Sequence, residues 1–113
     1  MTPRHEDFLP LRPVELQVLA ALRTRSLHGY GILQESDDGT MPGLVTVYRA
    51  LQRMEERELI ARDVAGADDD ERRRTYRITP LGRGVLAAEA RRLSALIRPA
   101  LDGGGSTGGG RAR

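Results

Sequence analysis

Apolar residues recur along this chain at two different periods, and the change from one to the other lays out its elements. From about Pro13 to Thr24, the residues Val14, Val18, Leu19 and Leu22 fall on one side of a helix. Pro13 suits the first helical position, where a missing N–H costs nothing. Ser26 to Gly29 interrupts the pattern, and a shorter helix is expected from Tyr30 to Glu35 or Ser36, stopped by the turn-forming Asp37-Asp38-Gly39-Thr40 and Pro42-Gly43. The most regular segment runs from about Leu44 to Arg57. There Leu44, Val47, Tyr48, Leu51 and Met54 share one helical face and leave Thr46, Arg49, Gln52, Arg53 and Glu56 on the other.

The period then shortens to two. Leu59 to Val64 is a strand candidate, Ala65 to Asp70 a loop, and Arg73 to Thr79 the returning strand, in which Tyr76 and Ile78 alternate with Thr75 and Arg77. Thr79 as N-cap and Pro80 at the first position open a fourth helix, expected to stop near Arg98 because Pro99 lacks the donor to continue it. The order helix, helix, helix, hairpin, helix is a mainly α fold with a small β-hairpin. It reads as a winged helix-turn-helix with one added C-terminal helix. The expected organisation is a flexible N-terminus over 1–8, the winged helix-turn-helix over 9–79, a dimerisation helix over 80–101 and a disordered Gly-rich tail over 102–113.

Composition narrows the function classes. With 113 residues the chain is one domain, and it has no run of about 18 apolar residues that would cross a membrane. The start MTPRHEDFLP lacks the pattern of a secretory leader. Cysteine is absent, which removes thiolate catalysis and disulfides. A cytoplasmic protein without membrane contact is expected. The two histidines, His5 and His28, stand in no catalytic or metal-ligating spacing, and no Gly-rich phosphate loop appears. No enzyme activity, metal or cofactor is expected, and His28 reads as a cap or packed turn residue.

Charge is unevenly placed. Residues 1–71 carry eight arginines against fourteen acids, whereas residues 72–113 carry ten arginines against Glu89 and Asp102 alone. The change is abrupt: Asp68 to Glu71 run directly into Arg72, Arg73 and Arg74 at the mouth of the returning strand. In a helix-turn-helix the second helix enters the major groove by its N-terminal residues. Val45, Thr46 and Arg49 are therefore candidates for base edges, Val45 against a thymine methyl and Arg49 against guanine or a phosphate. Gln52 and Arg53 lie a turn further on, toward the backbone. Arg72, Arg73 and Arg74 sit where a wing would follow phosphates. The bland alternative is a solvated face, with Arg49, Arg53 and Arg57 paired to Glu55, Glu56 and Glu58. On the fourth helix, the stripe containing Leu86, Leu93, Leu96 and Ile97 is too long for a small domain to cover and suits a second copy of the chain. A different class of function, a protein-interaction module without sequence-selective DNA binding, would be marked by weak and indiscriminate affinity for duplexes.

The motifs HGYGI (28–32), TVYRALQRMEE (46–56), ELI (58–60) and RRTYRITPLGRGVLAAEARRL (73–93) together resemble the PadR-like family of transcriptional regulators over about residues 9–98. The resemblance implies a homodimeric winged-helix repressor of an inverted-repeat operator in double-stranded DNA, often released by a small-molecule effector such as a phenolic acid. By position it implies that Thr46, Tyr48 and Arg49 open the recognition helix and that Arg73, Tyr76 and Arg77 belong to the wing. This chain departs from the family pattern in having Val45 and Glu58 where glycine is usual. If position 58 needs a positive φ, a Glu there costs on the order of 1 kcal/mol. A single helix after the wing resembles the family's short form.

Overall fold

The computed structural model describes residues 3–35, 42–63 and 74–106. Helix α1 spans Pro13–Leu22, strand β1 Leu27–His28, helix α2 Gly29–Glu35 and helix α3 Leu44–Glu56. Strands β2 (Ile60–Arg62) and β3 (Thr75–Ile78) follow, and helix α4 runs from Pro80 to Ser106. The chain is mostly helical with a small antiparallel sheet, a winged-helix fold. The expected helices and hairpin are present, with shorter strands than the alternation proposed.

The sheet has three strands in the order β1-β3-β2, so β3 is central. Leu27 pairs with Tyr76 on one side of it, and Ile60 with Ile78 on the other. The stretch around Leu27 looked like a plain interruption because two residues are too few to show a period. Its pairing to β3 is a tertiary contact. The core lies where α1, α3 and the inner face of the sheet meet: Val18, Leu19, Leu22, Leu51, Met54 and Ile60 are almost fully excluded from solvent. Tyr76 and Ile78 point into it, and Arg77 points away.

Thr79 caps α4 as expected. Its hydroxyl accepts from the Gly82 N–H at 2.9 Å and donates to the Glu58 carbonyl at 2.7 Å, which ties the helix start to the turn before β2. That turn requires a positive φ, and Glu58 adopts 64°. Of the two roles expected for His28, cap or packed turn residue, it takes the first: its Nδ1 accepts from the Gly31 N–H at 2.9 Å.

Three expectations need correction. Helix α4 does not stop at Pro99; it continues through it to Ser106, taking in part of the Gly-rich tail. Proline there leaves the Ala95 carbonyl without its amide donor, and since Ala95 and Pro99 are both exposed, water can serve instead. Residues 107–113 lie outside the described part. The N-terminal residues are not simply a loose lead, because His5–Phe8 form a 3-10 turn that packs on α4. Finally, Leu44 does not continue the inward stripe of α3; it stays 36% exposed at the first turn.

Candidate nucleic-acid interface

Helix α3 is built from the inside out. Val47, Ala50, Leu51 and Met54 are buried against the core, which fixes the rotation of the helix and leaves Val45, Arg49, Gln52 and Glu56 along the opposite side. Val45 is 65% exposed, which puts apolar surface on this side of the helix. Arg49 and Gln52 are exposed and have no hydrogen-bond or ion-pair partner among the described residues. Thr46 is exposed beside them.

One other candidate on this helix, Arg53, is engaged elsewhere, together with Arg57 at the helix C-cap. Arg53 turns toward α1, where its Nε lies 3.6 Å from the Oε2 of Glu15, and Arg57 approaches the same oxygen at 3.7 Å. Glu15 is buried, and its Oε1 accepts from the Arg12 N–H at 3.0 Å. The Arg57 guanidinium also stands over the Phe8 ring, 4.9 Å from its centre. Arg53 therefore faces the scaffold in this structure rather than the stripe carrying Arg49. In the bland alternative Arg53 and Arg57 would pair with nearby glutamates; instead the partner of both is Glu15, 38 residues back in sequence from Arg53.

Tyr48 is half-buried with its ring against α2. A Cβ on Gly29 would come within 2.6 Å of that ring, so the glycine of HGYGI is there to let α2 and α3 approach. Seven-residue α2 and α3 are held together in this way as a unit, the arrangement of a helix-turn-helix.

At the hairpin, Arg72 and Arg73 lie outside the described residues. Arg74 hydrogen-bonds the hydroxyl of Tyr76, whose pKa is pushed up mainly by burial, with that bond opposing. Arg77 is exposed on the outer face of β3 and has no partner among the described residues. Strand β2 is braced to α3 by an ion pair of Arg62 with Glu55 at 2.9 Å. An open cavity of about 420 Å³ lies beside this brace, between Glu55, Ile60, Arg62, Pro80 and Leu81.

Helix α4 carries the other candidate surface. Val85 and Ala88 are buried and Leu86 and Leu93 half-buried, whereas Leu96, Ile97 and Leu101 are exposed. Leu86, Leu93, Ile97 and Leu101 recur at i, i+7, i+11 and i+15 and so share one side. Sequence reasoning missed Glu89 on this helix. It is 1% exposed, accepts from the Leu11 N–H at 2.9 Å and pairs with Arg92 at 2.6 Å. Its pKa is lowered by the Arg92 hydrogen bond, assisted by the Leu11 N–H, against the opposing effect of burial.

Comparison with known proteins places these features in context. The model of the transcriptional regulator PadR-like family matches residues 18–88. A PadR family transcription regulator from hypervirulent Clostridium difficile has a TM-score of 0.64 at 22% identity, with 79% of this chain and 94% of that one covered. A transcriptional regulator from Clostridium thermocellum gives 0.66 at 22% identity over 79% and 90%. BpsR of Bordetella bronchiseptica, whose DNA binding is regulated by 6-hydroxynicotinic acid, gives 0.64 at 20% identity over 88% and 70%. At these identities the likeness is one of fold. No curated protein sequence matches significantly.

Proposed function

This chain belongs to the PadR-like family of transcriptional regulators, and from that premise we propose that it is a homodimeric repressor that grips an inverted-repeat operator. The reading is carried by the exposed stripe of α3: Val45, Arg49 and Gln52 protrude from the second helix of the helix-turn-helix, with Arg49 and Gln52 unpartnered among the described residues. Thr46 flanks the stripe, and the Tyr48 hydroxyl reaches a phosphate from the side of the helix. The wing arginines Arg72, Arg73, Arg74 and Arg77 follow the phosphate backbone and make binding salt-dependent. Arg53 contributes by holding α3 on α1, through Glu15, more than by touching DNA.

The exposed side of α4 meets its copy in a second chain through Leu86, Leu93, Leu96 and Ile97. Two half-sites about one helical turn apart then bind together, and the affinity of each module is multiplied. Release by a small-molecule effector is the regulatory half of this reading, with the effector seated where the paired α4 helices meet α1. The protein acts in the cytoplasm on double-stranded DNA, without a cofactor and without catalysis.

Arg49→Ala tests the carrying observation. In a competition assay with the duplex upstream of the protein's own gene, the variant should bind about tenfold or more weakly and discriminate less against scrambled DNA. Unchanged affinity and selectivity would remove α3 from the groove.

A further inference from the structure

The stripe on α3 has a chemical order as well as a direction. Beginning at the first turn, it presents a branched apolar group at Val45, a guanidinium at Arg49 and a carboxamide at Gln52, at i, i+4 and i+7. Seven residues of α-helix advance about 10 Å, which is about three base-pair steps at roughly 3.4 Å each. Glu56 follows on the same side. A carboxylate close to phosphates is repelled, so the DNA-facing length ends before it.

Each of the three groups has a distinct complement in the major groove. An apolar side chain matches the 5-methyl of thymine, a guanidinium forks onto guanine O6 and N7, and a carboxamide forks onto adenine N6 and N7. Resting on the DNA-binding reading above, we propose that α3 reads each half-site as a thymine, a guanine and an adenine in that order, spread over three to four base pairs, through Val45, Arg49 and Gln52. The free state supports the assignment at both ends. Leu44 and Val45, 36% and 65% exposed, leave apolar surface at the helix tip, and a thymine methyl would cover part of it. Arg53, the other cation near Gln52, is drawn off toward Glu15 and does not compete for the same bases.

The test begins with selection of bound sequences from a pool of random duplexes by the full chain. The enriched half-site is then synthesised with deoxyuridine in place of the thymine, which removes one methyl and nothing else. Wild-type protein should lose about fourfold in affinity for that duplex, and Val45→Ala should bind the two duplexes alike. Gln52→Ala should lose preference at the adenine position alone. Enriched half-sites lacking this order, or equal binding of thymine and deoxyuridine duplexes by the wild type, would overturn the proposal while leaving the repressor reading intact. A pool that yields no preferred sequence would overturn both.

Discussion

Glu58 shows how one residue can carry a cost that its neighbours explain. Its φ of 64° joins the end of α3 to β2, and the Thr79 hydroxyl grips its carbonyl to start α4, so the turn cannot relax without loosening both. Glu58→Gly should raise stability by about 0.5–1 kcal/mol in urea denaturation, the left-handed strain outweighing the added freedom of the unfolded chain. An unchanged or lower midpoint would show that the turn carries no such strain. Glu89 makes the opposite kind of statement. Its folded pKa lies below the ordinary value of 4.5, so its contribution is complete above that value and is lost as pH falls through the folded one. Glu89→Gln should therefore show a shallower loss of stability on acidification than the wild type, measured by denaturation from neutral pH downward. Identical acid limbs would mean that Glu89 is not held as a buried anion.

Among the elements, α4 approaches the Glu58–Leu59 turn closely at Gly82. A Cβ at Gly82 would collide with the backbone carbonyl oxygen of Leu59, which cannot swing aside, whereas a Cβ at Gly84 would meet only the His5 ring, on an exposed side chain near the N-terminus. Gly82→Ala should cost about 2 kcal/mol or more and Gly84→Ala much less, a contrast readable in thermal melts; equal costs would contradict this packing. The elements themselves were largely legible in the sequence. Val47, Leu51 and Met54 in α3 and the Thr79-Pro80 start of α4 follow local rules that the fold obeys. What could not be read were arrangements fixed by distant partners: the two residues of β1, the grip of Glu15 on Arg53 and Arg57, and the burial of Glu89 under Leu11. The continuation of α4 past Pro99 was missed because a local rule was applied where water can satisfy the freed carbonyl. At the interface, the exposure of Arg49 and Gln52 was visible from periodicity alone, whereas the diversion of Arg53 was not.

At the scale of the whole molecule, the first part of α4 joins the winged-helix core through Val85, and the later part does not. The core so formed leaves one stripe of α3 exposed, while α4 runs on with Leu96, Ile97 and Leu101 in solvent. The proposed pairing of α4 with its copy would cover that apolar side, and Leu93→Glu with Ile97→Glu should abolish it. Sedimentation should then report the 12.5 kDa chain alone, against twice that mass for the wild type; a wild type that sediments as a monomer would remove the dimer from the account. The central claim is selective binding of duplex DNA, and fluorescence anisotropy tests it most directly. The protein would be titrated into labelled DNA from upstream of its own gene and into a scrambled duplex, at low and at physiological salt. The account predicts about 10³-fold preference for the first at physiological salt, with affinity for both rising as salt falls. Weak and equal binding to the two duplexes, together with the absence of a preferred sequence in a random pool, would contradict it.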